Sequence, residues 1–286
     1  MNTASYLYCG GVYLLCGIMR TNTKGILLLV LVISILSSGC ASQTKSSEPV
    51  SPEDVFVTVA PVAIKEYQEQ SIAVTVENNA TQPIDSVSVD SFDPLSVIYS
   101  SSLNIPGKTD KTTKSSIDAM VKAPGFKTDT TDSSVTVSYV SGSDENGAPV
   151  LSTKSAPVQI TILPDAKLQF LGFVKNMSTL RDSTVQKWEL KKGENATISF
   201  SVKNNGQSTI DANSLIVMFE AENELMAGNT SLDITQAMAK NGSSYTKGVV
   251  LPVKEDAPNG ETAVNVKLMM GDYVLDEQTL TLVVKL

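Results

Sequence analysis

An all-β chain is predicted by three features of this 286-residue sequence: short runs of alternating apolar and polar residues, turn dipeptides between them, and one internal repeat. Alternation with period two marks a strand that buries one face and leaves the other in water. It recurs at Val55 to Val59, Ile72 to Val76, Val87 to Val89, Val135 to Tyr139, Val158 to Ile162, Ile198 to Val202, Leu215 to Phe219, Val264 to Leu268 and Thr279 to Val283. Asn146-Gly147, Asn205-Gly206, Asn259-Gly260 and Gly271-Asp272 supply the tight-turn positions that join such strands. The last of these is predicted to close a two-residue hairpin between the final two strands.

The repeat sets the expected number of domains. Ser71 to Asp85 aligns without gaps on Thr197 to Asp211 at an offset of 126 residues, with six identities: Ile72/Ile198, Val76/Val202, Asn78/Asn204, Asn79/Asn205, Ile84/Ile210 and Asp85/Asp211. The apolar members alternate along one strand, the Asn pair interrupts it, and Ile-Asp begins the return. Two copies predict two domains, 55–164 and 165–286, with the boundary at Pro164-Asp165 between a strand ending at Leu163 and one running from Leu168 to Val174. Units of this size with about seven short strands fit immunoglobulin-like β-sandwiches. The core disulfide and strand-C Trp of antibody domains are missing, so inward Val, Ile, Leu and Phe must carry the fold. Trp188 is read as a core or sheet-edge residue rather than a binding platform.

Ahead of these units lies a different kind of sequence. Residues 26 to 36 form an apolar run, preceded by Arg20 and Lys24 and followed by Ser37, Ser38, Gly39 and Cys40, which is the layout of a signal peptide over residues 1–39. The run is short of the roughly 20 residues that span a bilayer as a helix. Small residues before Cys40 resemble a lipoprotein lipobox, which implies cleavage before Cys40 and a lipid on its thiol; Ser37 stands where the family usually has Leu. A second apolar patch, Tyr6 to Ile18, has no charge ahead of it, so Met19 is read as the better start. Residues 40–54 are then the lipidated Cys and a polar, Pro-containing tether.

Composition narrows the chemistry. The chain contains no histidine, which removes His triads, His metal sites and His pH switches together. Cys9, Cys16 and Cys40 are its three cysteines, so residues 41–286 form no internal disulfide. The formal net charge is −8, and loss of residues 1–39 would take it to −10. Nucleic acid is therefore not an expected partner: Lys108, Lys111 and Lys114 form a short run among Thr and Asp, read as a solvated face. No Gly-x-Ser-x-Gly elbow occurs, and no spacing of acids marks a carboxylate pair. Asp129, Asp132, Asp144, Glu145 and Asn146 flank one strand and could offer oxygen ligands to Ca²⁺, but they do not match an EF-hand and are read as solvated loop acids. No metal or cofactor is expected. Five Asn-x-Ser/Thr sequons, at Asn79, Asn176, Asn195, Asn229 and Asn241, are candidate N-glycosylation sites of an exported protein.

Ile198-Ser-Phe-Ser-Val-Lys-Asn-Asn-Gly-Gln-Ser-Thr-Ile-Asp211 resembles the second-strand region of CARDB-type domains and related archaeal surface-protein repeats. Val250 to Val264, with its Asp-Ala-Pro-Asn-Gly turn, resembles a further element of those repeats, and the likeness is fuller over 165–286 than over 55–163. Val76-Glu-Asn-Asn79 also resembles a turn of water-stress LEA-type sandwich domains. The resemblance implies an extracytoplasmic scaffold with no catalytic residues to carry over. The expectation is a non-enzymatic lipoprotein, held at the membrane through Cys40, that serves in envelope structure, adhesion or accessory binding with envelope or surface-layer proteins as partners. The alternative is a solute-binding or accessory lipoprotein of a transporter, which usually needs α/β lobes that this sequence does not suggest.

Overall fold

The computed structural model describes residues 48–109, 113–127, 133–174, 184–242 and 244–286. Cys40, the signal segment, most of the tether, Lys111, Asp129, Asp132 and Asn176 lie outside the described residues. Residues 46–286 belong to one compact unit. Among the described residues there is no α-helix; apart from a 3-10 turn at Pro52–Asp54, the regular structure is all strand. The protein is an all-β sandwich.

In the N-terminal half, one sheet has the order β1 (Val55–Thr58), β3 (Glu69–Asn78), β7 (Thr113–Lys122), β5 (Ser96–Ser100). The second has the order β6 (Leu103–Ile105), β4 (Ile84–Asp93), β8 (Ser134–Ser143), β9 (Pro149–Pro157). A short strand β2 (Val62–Lys65) runs parallel to β10 (Ile160–Leu163). The C-terminal half repeats this plan. Its first sheet is β12 (Thr184–Val185), β11 (Ala166–Val174), β14 (Asn195–Asn204), β17 (Ser244–Pro252). Its second is β13 (Lys187–Lys191), β19 (Tyr273–Lys285), β18 (Gly260–Met270), β15 (Ile216–Ala221), β16 (Thr230–Asp233). Here too an early short strand, β13, runs parallel to the last one, β19. The other pairings among the described residues are antiparallel.

Alternation decides which side chains face inward. In β8 every second residue is buried, placing Val135, Val137 and Tyr139 in the interior. Ile72, Val74 and Val76 of β3 and Ile117, Ala119 and Val121 of β7 close the same core from the other sheet. The second core gathers Ile198, Phe200 and Val202 of β14 against Val217, Phe219, Val264, Val266, Leu268, Leu280 and Leu282. Phe200 and Phe219 meet edge-on at 5.5 Å and stitch its two sheets together. Each buried Val, Ile, Leu or Phe among them contributes about 1.5–3 kcal/mol by burial. Trp188 is half-buried at the rim of the second core, its ring 5.9 Å from that of Phe173, in keeping with its reading as a packing residue.

The repeat has a structural cause. Asn78 ends β3 and Asn204 ends β14, and both side chains are fully buried. The Asn78 carbonyl oxygen accepts the Ala80 N–H, while its amide donates to Gln82 O and, across the fold, to Pro106 O. Asn204 does the same with Gly206 N–H, Ser208 O, and Met238 O and Ala239 O. A buried amide, with an acceptor oxygen and a nitrogen that donates twice, satisfies a tight turn and a distant segment at once, which a carboxylate, an acceptor only, cannot do. The returns differ. Ile84 opens the long strand β4, whereas Ile210 makes a single bridge with Met238, and β15 starts only after Asn213 has turned the chain at a φ of 63°.

Some strands run well beyond the alternating residues that marked them, Val87 to Val89 lying inside Ile84–Asp93 and Thr279 to Val283 inside Tyr273–Lys285, while the strand expected at Val158 begins at Ile160 and the one expected at Leu215 begins at Ile216. Pro157 explains the late start at Ile160, since it breaks β9 from β10. The hairpin at Gly271-Asp272 forms as expected, with Met270 paired to Tyr273 and Gly271 at a φ of 54°.

Candidate functional site at the junction of the two cores

The chain crosses between the cores through Pro164 and Asp165, and the junction is built around one carboxyl group. Glu66 follows β2 and is 5% exposed. Ser208 Oγ, in the turn after β14, donates to Glu66 Oε2 at 2.6 Å. The backbone N–H groups of Phe126 and Asp165 approach the same carboxyl at 3.4 Å each. Polar groups this deeply buried are tolerated because each is hydrogen-bonded. Two glycines make the approach feasible. A Cβ on Gly206 would lie 1.8 Å from Glu66 Oε1, and one on Gly125 would lie 2.6 Å from the Tyr67 hydroxyl and 2.8 Å from Ser208 Oγ. Neither glycine is needed for a positive φ; both are needed for close approach. Tyr67 itself takes the left-handed conformation, at a φ of 59°. Lys65 and Asp165 pair at 3.8 Å, and the Thr161 and Tyr273 hydroxyls lie 3.3 Å apart.

Beside this contact lies a cleft of about 660 Å³. Pro94, Pro124, Phe126, Ile160 and Ile162 form its wall from the N-terminal half, and Met270 and Tyr273 its wall from the C-terminal half; Lys127, Asn213, Ser214 and Asp272 add polar groups. That volume falls in the range of small-molecule sites, which favour junctions between packed units. Glu66 and Ser208 are not among the lining residues; their contact ties the turn after β14 to the end of β2.

The residues singled out by sequence fall elsewhere. Asp144, Glu145 and Asn146 sit in the β8–β9 turn, where Asp144 Oδ1 accepts the N–H groups of Asn146 and Ala148 and so caps the turn. Among the described residues no three His, Cys, Asp or Glu side chains gather to hold a metal ion. Of the described sequons, Asn195, Asn229 and Asn241 are exposed. At Asn229 the side-chain carbonyl accepts the Ala221 N–H and the amide donates to Glu224. Asn79 is half-buried, its Oδ1 without a hydrogen-bond partner among the described residues. Lys114 pairs with Glu77 at 2.9 Å on a sheet surface. Glu66 and Ser208 carried no signal in sequence, and Gly206 read only as a turn residue.

No family model and no curated protein matches the chain. Among solved structures it is similar to red sea bream transglutaminase, with a TM-score of 0.33 and 11% identity over 82% of this chain. It is similar to a DUF4785 family protein from Legionella pneumophila, with a TM-score of 0.39 and 8% identity over 79% of this chain. It is also similar to a protein of unknown function from Porphyromonas gingivalis W83, with a TM-score of 0.25 and 11% identity over 82% of this chain and 100% of that one. The chain spans 31% of the transglutaminase and 55% of the Legionella protein. At these scores the likeness assigns neither activity nor substrate. Among the described residues no helix is long and apolar enough to cross a membrane.

Proposed function

We propose that this protein is a non-enzymatic, extracytoplasmic lipoprotein, anchored through Cys40, whose two immunoglobulin-like, CARDB-like sandwich domains, 55–164 and 165–286, act as a structural, adhesive or accessory binding module of the cell envelope. The observation that carries the reading is the path of the chain. Val50 enters the fold by donating its N–H to Ser141 O, at the end of β8 away from the junction, since Ser133 at the other end bonds Val158 just before β10 and Pro164. A tether arriving there leaves the junction cleft and the C-terminal half free for a partner. The repeated strand plan and the two separate cores support two domains; the absence of histidine supports a binding role over catalysis.

Intact-mass analysis of the membrane-extracted protein, together with a Cys40→Ser variant, tests the anchor. The wild type is expected to begin at Cys40 with added acyl mass, and the variant to leave the membrane fraction. A mature chain starting elsewhere, or one without acyl mass, overturns the anchor. Crosslinking on intact cells then separates an envelope role from the transporter alternative, which predicts permease subunits in stoichiometric yield.

A further inference from the structure

Four Asn-Gly dipeptides occur in the sequence, at Asn146, Asn205, Asn241 and Asn259, and all four asparagines are exposed. This dipeptide carries its own chemistry. With no Cβ on the second residue to block the approach, the glycine nitrogen attacks the asparagine side-chain carbonyl carbon. The new N–Cγ bond forms as the Cγ–Nδ2 bond breaks, and ammonia leaves with the proton that the glycine nitrogen gives up. Water then opens the cyclic imide to Asp or to its β-linked isomer. The glycine N–H must first release any hydrogen bond it makes, so at four equally exposed sites the hold on that N–H sets the order of reaction.

Three of the glycines are held by buried structure. Gly206 N–H donates to Oδ1 of Asn204 at 2.9 Å, and Gly242 N–H to the main-chain oxygen of the same, fully buried residue at 2.6 Å. The two turns also lock each other, since Asn241 N–H donates to Gly206 O, while Asn205 N–H donates to Asp165 O at the junction. Gly260 opens β18 opposite the buried Val284. Glu222 N–H reaches Ala263 O on the β15 side and Thr281 N–H reaches Gln186 O on the β13 side, so alternation turns Gly260 and Val284 toward each other as a hydrogen-bonded pair. Gly147 differs. Its N–H donates to Asp144 O at 3.0 Å within the β8–β9 turn, where every residue from Asp144 to Pro149 is exposed. The other bonds of that turn, from the Asn146 and Ala148 N–H groups to Asp144 Oδ1 and from Asp144 N–H to Ala148 O, are equally local. Opening it uncovers no buried side chain.

We propose that Asn146 is a site of spontaneous modification in the folded protein, passing to Asp and β-linked Asp, and that Asn205 and Asn241 are preserved as amides by the hold of Asn204 on the glycines that follow them. The product places a new carboxylate, ionised at neutral pH, beside Asp144 and Glu145. Its β-linked form also adds a methylene to the backbone of the turn. Both changes fall at the end of β8 where Val50 enters the fold through its bond to Ser141. The inference does not depend on the lipid at Cys40.

The test follows all four sites in one sample. The full chain, made in a host that does not glycosylate Asn, is held folded at mildly alkaline pH in oxygen-18 water and analysed by peptide mapping. Each site's rate is divided by its rate in the same chain unfolded in guanidinium, which cancels the effect of neighbouring sequence. Asn146 is expected to be slowed by about tenfold or less, Asn205 and Asn241 by about a hundredfold or more, and Asn259 by an intermediate factor, because bonds around buried groups open only in larger and costlier fluctuations. Asp144→Ala removes two bonds of the exposed turn and is expected to speed Asn146 by about threefold or more, leaving the other three sites unchanged. Asn146 slowed as much as Asn205 or Asn241, equal slowing at all four sites, or an Asp144→Ala variant that leaves Asn146 unchanged or speeds all four together overturns the proposal.

Discussion

Asn78 and Asn204 occupy the same place in the two halves, yet one closes a free end of the fold and the other closes the junction. Asn78 ties its own turn to Pro106 and bonds nothing of the other half. Asn204 ties its turn to Met238 and Ala239, and the turn it shapes carries Gly206 and Ser208 against Glu66. One local device, a buried amide ending a strand, thus serves closure in the first copy and both closure and assembly in the second.

Substitution at the two positions should separate those roles. Asn204→Ala removes hydrogen bonds to three carbonyls and one N–H, although Met238 O keeps its bond from the Ile210 N–H, and is expected to cost about 3–4 kcal/mol, against about 2–3 kcal/mol for Asn78→Ala, which removes bonds to two carbonyls and one N–H. Denaturant unfolding measures both. Hydrogen exchange should show the Asn204 variant loosening the Phe126 and Asp165 amides as well, and the Asn78 variant sparing them. Equal cost and equal spread of exchange would remove the distinction.

Smaller effects are expected at the tie itself. Ser208→Ala leaves the Glu66 carboxyl with only two long N–H contacts and is expected to cost about 1.5–2.5 kcal/mol. Gly206→Ala forces Glu66 aside and should cost a similar amount, about 2 kcal/mol, because a backbone-borne methyl group has nowhere to retreat. Both should widen the range of angles between the cores in small-angle scattering; a variant that loses stability with an unchanged scattering profile would make the tie local.

The smallest effects belong to two buried hydroxyls without a hydrogen-bond partner among the described residues, Tyr139 in the first core and Ser199 on the face of β14 opposite Ile198 and Phe200. Tyr139→Phe and Ser199→Ala are expected to be neutral or to stabilise by about 1 kcal/mol or less, since each removes an orphan polar atom. Burial holds the Tyr139 phenol above its ordinary pKa, so the folded state keeps the proton that the unfolded chain releases above about pH 10. The stability associated with it is fully present below that pH and declines as pH rises further. Tyr139→Phe should flatten that alkaline decline, read as unfolding midpoints from about pH 9 to about pH 11.

Much of the fold was legible because strand periodicity is a local property. Val135, Val137 and Tyr139 show their buried face in the spacing of the letters, and the Gly271-Asp272 turn declares itself in two residues. Strands whose exposed positions carry the pattern, such as β9 with Leu151 outward, or whose apolar residues run together, such as β17, do not stand out in this way. The repeat identified Asn78 and Asn204 as a pair, but their carbonyl partners lie up to 35 residues away and could not be read from spacing.

The sequence by itself determined the strand-forming runs, the turns, the absence of imidazole chemistry and the pairing of two similar segments, because each depends on residue type and near neighbours. Tertiary structure alone decided that Glu66 and Ser208, separated by 142 residues, would meet. It alone decided that Gly206 would be needed for its missing side chain and not for its φ, and that a cleft would open between the cores. These outcomes depend on which surfaces come together after the strands have formed, and strand propensity carries no information about that choice.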